Sequence, residues 1–296
     1  MHGWRLLAFC AAFTWGLGQA AGLETIHSAL LKRDVKIALH VPSAVVVDRW
    51  KAAHPGSHLR LVLFLPGAYD GPEDFSRYGI AGFLADQEAK GMLPPSLWVA
   101  VEHFKSWYAN RTDGTFPYER FLLEELVPRL EAEHPGFGGS PSTRSVAGLS
   151  MGGFGALNLA ARSGAFSTCL ALSPALIEPP FQQVGWFLRH SLKRTFPLDP
   201  ARFVPWNPWK HLGGACDLVV TCGTEDKYGL AETCRTFARI CQERGRPLYL
   251  QLSPGGHDWA YWTPAFKRWT PWLLGLAEAP GTGPVDVTGI SPMIGP

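Results

Sequence analysis

Charge is scarce in this 296-residue chain. Only 18% of residues are Asp, Glu, Lys or Arg, and 27 basic against 25 acidic side chains leave a formal net charge of +2. There is no basic block and no acidic tail, so nothing points to nucleic acid or to an anionic membrane surface as a partner. No apolar run reaches the roughly 20 residues that span a bilayer. No Cys and His residues fall at the spacing of a metal site, and no cofactor is implied. There is no internal repeat and no clear domain linker. Cysteine is sparse too, with six in all.

What is present suits an α/β protein with ample material for a core, since 46% of residues are hydrophobic. The first twenty residues read as a secretory signal. Arg5 supplies positive charge, Leu6 to Leu17 is apolar, and Gly18-Gln19-Ala20 offers small residues for cleavage. Residues 1–20 are therefore expected to be a leader and the mature protein to be secreted or periplasmic. Cys10 follows Phe9 rather than a small residue, which argues against lipid attachment there. Five cysteines follow the leader, an odd number that leaves at least one free. Cys234 and Cys241 lie about 10 Å apart along an expected helix, too far for a mutual disulfide. Cys169 and Cys222 sit in apolar strand runs as core thiols. A pairing of Cys216 with a helix cysteine stays open.

Along the chain, Thr25–Leu31 and Val35–Val41 are β-prone runs joined by Lys32-Arg33-Asp34, a hairpin. Arg60–Leu65, Leu97–Val101, Ser145–Ala147, Thr168–Leu172, Asp217–Cys222 and Leu248–Leu252 are short apolar runs of the kind shown by strands covered on both faces. Helical stretches are expected near Asp74–Ala89, Pro117–Glu133, Gly152–Ala161, Leu230–Arg244 and Thr263–Leu276. Eight strands that mostly alternate with helices after the opening hairpin predict a mostly parallel sheet with helices on both faces. The 173–212 stretch is rich in Pro, Trp and Phe and reads as an insertion after the sixth strand, over the active site. The catalytic domain is expected at 21–278 and a loose tail at 279–296.

The chain is organised around Gly148-Leu149-Ser150-Met151-Gly152. A strand leads in and a helix leads out, and glycine on both sides lets Ser150 sit strained at the turn with its Oγ exposed. The following helix aims its free N–H groups at the same point, a good place to stabilise an oxyanion. In parallel sheets, sites form at the carboxyl ends of strands. Asp217–Cys222 ends in Gly223-Thr224-Glu225-Asp226, and Leu248–Leu252 ends in Ser253-Pro254-Gly255-Gly256-His257-Asp258. The order Ser150, Asp226, His257 is nucleophile, acid, base, the chain order of α/β-hydrolases. Serine needs a base to take its proton, and a carboxylate orients that base. Of ten histidines, only His257 follows the last strand behind a flexible glycine pair. His103, also just past a strand, is a second candidate for substrate contact. Glu225 and Asp258 are rivals to Asp226.

These stretches, with Tyr118-Glu119-Arg120-Phe121 and Glu125-Leu126-Val127-Pro128, resemble the esterase D-like family of α/β-hydrolases. That family includes feruloyl esterases, S-formylglutathione hydrolases and mycolyltransferases. The resemblance covers nearly the whole mature chain. It implies an α/β-hydrolase fold, Ser150, Asp226 and His257 as a catalytic triad, and an oxyanion hole made by the N–H groups of Met151 and Ala68. On the residues alone, Tyr69 in the same loop after Leu65 is the alternative second donor. One departure stands out: relatives usually carry His-Gly or Asp-Gly where this chain has Pro66-Gly67. The expected activity is hydrolysis of small to medium acyl or aryl esters through an acyl-enzyme. The alternatives are an acyltransferase of the mycolyltransferase type and a non-catalytic binding protein on a hydrolase scaffold. Export would separate the protein from cytosolic glutathione, which disfavours S-formylglutathione as substrate. Tyr69, Trp107, Tyr108 and Trp206, with Trp186 and Trp209, either line an aromatic substrate pocket or pack the core.

Overall fold

Strands β3 (Leu61–Leu65) and β4 (Leu97–Val101) contain no polar residue, and every residue of both is buried. Side chains alternate across a strand, so each strand must feed two cores. Leu61, Leu63 and Leu65 join the core on one face, while Val62 and Phe64 join the core on the other. The same division separates Leu97, Val99 and Val101 from Trp98 and Ala100. Helices Met151–Arg162 and Leu230–Glu243 supply Phe154, Leu157, Cys234 and Phe237 to the first face. Helices Ile80–Ala89 and Trp259–Leu273 supply Ile80, Leu84, Phe266 and Trp269 to the second.

The remaining strands are β1 (Gly22–Ser28), β2 (Arg33–His40), β5 (Arg144–Leu149), β6 (Thr168–Leu172), β7 (Asp217–Gly223) and β8 (Tyr249–Ser253). The sheet has eight strands in the order β1-β2-β4-β3-β5-β6-β7-β8. β1 and β2 pair antiparallel with each other, and β2 pairs antiparallel with β4. From β4 through β8 every pairing is parallel, so the carboxyl ends of β3, β5, β7 and β8 all open on one edge of the sheet. This is the α/β-hydrolase arrangement.

The computed structural model describes residues 21–177, 186–196, 207–212 and 214–276, without the side chains of 186–188. The expected leader 1–20, the expected tail 279–296, Trp206, the Trp186 side chain and much of the 173–212 stretch lie outside the described residues. The described part of that stretch includes a helix, Trp186–Thr195. It is tied to the loop after β4: Trp107 Nε1–H donates to Ser191 Oγ at 3.0 Å, and Thr112 N–H donates to the Thr195 carbonyl at 3.3 Å. Among the described residues no helix is long and apolar enough to cross a membrane. All five cysteines of the described chain are unpaired and buried, so Cys216 forms no disulfide. Burial pushes the Cys216 and Cys241 thiols up to about 12.

Several element boundaries differ from the sequence expectation, and one helix is additional to it. The hairpin turns at 29–32, not at 32–34, because Glu125 accepts the Ala29 N–H at 2.7 Å and the Leu30 N–H at 3.3 Å. A carboxylate 95 or more positions away in sequence thus satisfies the turn. The expected helix at 74–89 is two pieces, Asp74–Arg77 and Ile80–Ala89, interrupted at Gly79 with φ 76°. A further helix, Ala44–Ala53, had no counterpart in the sequence reading.

Candidate active site

Ser150 stands between β5 and the helix Met151–Arg162 with φ 54° and ψ −116°, a left-handed backbone costly for any residue with a β-carbon. The turn is held open by close packing. A β-carbon on Gly148 would lie 2.3 Å from the Gly152 carbonyl oxygen, and one on Gly152 would lie 1.8 Å from that of Leu65. Ser150 is pinned on both sides of its backbone. Its N–H donates to the Leu172 carbonyl at 2.9 Å, and its carbonyl accepts from Ala175 N–H at 2.9 Å and Phe154 N–H at 3.1 Å. The surrounding structure over-determines a conformation that the residue alone would avoid.

The loops after β7 and β8 bring two further groups to Ser150. His257 Nε2 lies 2.9 Å from Ser150 Oγ, and His257 Nδ1 lies 2.7 Å from Asp226 Oδ2. A carboxylate cannot donate, so Nδ1 carries the proton and Nε2 presents its lone pair to the serine hydroxyl. The Asp226 side chain is fully shielded and that of His257 is 8% exposed. Burial alone would raise the Asp226 carboxyl, but the hydrogen bond and charge attraction of His257, together with hydrogen bonds from the Tyr228 N–H and the Cys222 thiol, outweigh it and hold the group below its usual range. Tyr228 N–H donates to Asp226 Oδ1 at 2.9 Å, and the Cys222 thiol donates to Oδ2 at 3.7 Å. The rings of Tyr228 and Trp262 stand edge to face with the imidazole, both at 4.9 Å between centroids. The rival carboxylates sit elsewhere. Glu225 is exposed. Asp258 Oδ1 accepts the Tyr261 N–H at 3.1 Å and caps the closing helix.

The loop after β3 passes directly beside the serine. A β-carbon on Gly67 would stand 3.6 Å from Ser150 Cβ, and also 2.5 Å from Asp70 Oδ2 and 2.8 Å from Leu149 Cδ1. Ala68 follows in that loop, 7% exposed, and Met151 opens the helix after the serine, where the first N–H groups have no intrahelical acceptor. Both expected oxyanion donors therefore lie in segments that adjoin Ser150.

The expected substrate residues separate. Tyr69 is 76% exposed on the Gly67–Asp70 loop. Trp107 and Tyr108 are 0% and 1% exposed and have no free surface to offer a ligand. Trp107 packs edge-on against Phe154 at 5.3 Å, and the Tyr108 hydroxyl donates to the Pro66 carbonyl at 2.7 Å. Trp209 is buried beside Phe237. The sequence reading missed Tyr228 and Trp262, which flank the histidine, and Asp70, which carries no motif of its own. A groove of about 410 Å³ runs between β8 and the closing helix, bordering the His257 loop at Gly256 and Asp258 but not Ser150. Among the described residues no group of three or more His, Cys, Asp or Glu is placed to hold a metal ion.

Comparison with solved structures supports the fold independently. A ferulic acid esterase superposes with a TM-score of 0.66 at 21% identity, covering 88% of this chain and 100% of its own. The fluorophosphonate-binding serine hydrolase F of Staphylococcus aureus gives 0.69 at 20% identity, covering 88% and 99%. An S-formylglutathione hydrolase from Agrobacterium tumefaciens gives 0.65 at 18% identity, covering 88% and 98%. No curated protein matches the chain. Residues 28–273 match the family described as "Putative esterase", and the chain belongs to that esterase family.

Proposed function

We propose that this esterase is a serine carboxylic-ester hydrolase that works through an acyl-enzyme, with Ser150 as nucleophile, His257 as base and Asp226 as the orienting acid. Ser150 Oγ attacks the acyl carbonyl while its proton passes to His257 Nε2. Asp226 keeps the other proton on Nδ1 and offsets the imidazolium charge. The oxyanion is met by the N–H groups of Met151 and Ala68. The intermediate collapses, the acyl–alcohol bond breaks, and His257 returns its proton to the leaving alcohol. Water then repeats the sequence on the acyl-serine and releases the acid.

The observation that carries this reading is the relay itself: one imidazole with its two nitrogens 2.9 Å from a serine oxygen and 2.7 Å from a shielded carboxylate. Solved structures of the same fold bear names that include ferulic acid and S-formylglutathione as substrates, so a feruloyl ester belongs in the test beside simple aryl esters. Export rests on the leader at 1–20 and is part of the proposal. The test is a panel of aryl esters of graded acyl length, with feruloyl and acetyl-sugar esters, run with wild type and Ser150→Ala. Wild type is expected to hydrolyse part of the panel and the variant none of it. Equal rates in the two proteins would refute the assignment. Adding an acceptor alcohol separates hydrolysis from acyl transfer, and the N-terminal sequence of protein recovered outside the cytosol tests the leader.

A further inference from the structure

The second oxyanion donor has to come from a loop that begins with proline. Pro66 has no N–H and a fixed φ, so it cannot anchor the loop by donating. The Gly67–Asp70 turn is closed by Asp70 N–H donating to the Gly67 carbonyl at 3.1 Å. Further anchors come from elsewhere in the chain. The Tyr108 hydroxyl holds the Pro66 carbonyl at 2.7 Å. The indole N–H of Trp259, two residues past His257, donates to Asp70 Oδ1 at 2.8 Å. His103 Nε2 lies 2.9 Å from the Asp70 carbonyl oxygen.

The His103 contact has one consistent proton arrangement. Lys105 N–H donates to His103 Nδ1 at 2.8 Å, so Nδ1 carries a lone pair. The proton is then on Nε2, and Nε2–H donates to the Asp70 carbonyl. Burial pushes the His103 pKa down, in keeping with a neutral ring. Both ring nitrogens are engaged by backbone, which removes His103 from substrate contact, the role its place after β4 suggested. The backbone that delivers these anchors is unusual. Phe104, Lys105, Trp107 and Tyr108 all have φ between 47° and 58°, a left-handed conformation that bulky residues rarely adopt. The loop is wedged between the elbow helix, through Trp107 on Phe154, and the Pro66–Asp70 segment.

We propose that His103 is a positioning residue: its Nε2–H bond to the Asp70 carbonyl, backed by Tyr108 and Trp259, fixes the 66–70 loop so that the Ala68 N–H meets the oxyanion forming at Ser150. The proposal rests on the hydrolytic reading above. A donor that matters only when charge develops affects kcat and leaves KM nearly unchanged. A residue that merely supported the fold would lower stability without that separation.

The experiment compares His103→Phe, which keeps a ring but has no donor, with His103→Gln, whose amide N–H₂ can replace Nε2–H. Both are assayed for kcat, KM and melting temperature on an ester that wild type hydrolyses. His103→Phe is expected to lose about 10- to 100-fold in kcat with KM within about twofold, and His103→Gln is expected to recover most of the loss. A folded His103→Phe enzyme with wild-type kcat overturns the proposal. So does a KM that rises in step with the loss, or a Gln variant no better than Phe. If His103→Phe does not fold, Tyr108→Phe, which deletes only the hydroxyl on Pro66, carries the same expectation and the same refutation. A wild type that hydrolyses no ester removes the hydrolytic reading and this inference with it. An active wild type with indifferent variants removes this inference alone.

Discussion

A β-carbon on Gly152 would stand 1.8 Å from the carbonyl oxygen of Leu65. The first turn of the helix after Ser150 is thus pressed onto the end of β3, where the loop that carries Ala68 begins. Serine and loop are positioned by one contact between two backbones, and that contact leaves no room for a side chain.

Gly152→Ala should therefore destabilise the protein by clearly more than the ~1 kcal/mol typical of point substitutions, because a backbone oxygen cannot rotate away. The contrasting variant is Gly82→Ala, in the first turn of helix Ile80–Ala89 with nothing within 4 Å of the added carbon. It should stabilise by roughly 0.5–1 kcal/mol through the lower backbone entropy of the unfolded chain. Urea unfolding midpoints of the two variants and wild type check both expectations. Similar midpoints for Gly152→Ala and wild type would mean that the close approach of helix and strand is absent.

The Asp226→Asn variant keeps the shape of the side chain but no longer dictates which His257 nitrogen holds the proton. Its kcat should fall by roughly 10²–10⁴-fold, measured on a chromogenic ester. The same substitution alters stability against pH. The folded Asp226 carboxyl is held below its unfolded value, so in acid the unfolded chain binds the proton more readily. Wild type gains stability from Asp226 above the usual carboxylate range near ~4 and loses it as pH falls through that range. Asp226→Asn should lack this component. Parallel stability profiles for the two proteins below neutral pH would contradict it.

Much of this site was legible in the chain itself. Parallel strands buried on both faces appear as short apolar runs, and the ends of β5, β7 and β8 place Ser150, Asp226 and His257 on one edge of the sheet. What escaped depends on partners far away in sequence. Trp107 and Tyr108 looked like candidates for an aromatic pocket, yet a run of left-handed backbone turns both inward. The helix Ala44–Ala53 buries only Trp50, so it carries no apolar stripe for periodicity to detect. The hairpin turn obeys Glu125 rather than its own residues. His103 meets the Asp70 carbonyl, and the Asp70 side chain accepts the indole N–H of Trp259 from a distant loop; such bonds leave no spacing to read.

The loop that carries Ala68 gives a separate test of the proposed oxyanion hole. Ala68→Ser keeps the backbone N–H and should cost little. Ala68→Pro deletes it and should lower kcat by roughly 10²–10³-fold in a folded enzyme. Tyr69→Pro in the same loop controls for distortion. Circular dichroism with steady-state kinetics on the three variants reads this directly. A folded Ala68→Pro enzyme with near wild-type kcat would move the donor to another residue.

On the proposed mechanism, His257 and Asp226 make Ser150 the one activated nucleophile of the chain. Reaction with a fluorophosphonate probe, followed by intact-mass and peptide mapping, tests it most directly. The expected result is a single adduct on Ser150, strongly slowed in His257→Ala and absent in Ser150→Ala. An adduct on another residue, or labelling of Ser150→Ala at the wild-type rate, would refute Ser150 as the nucleophile.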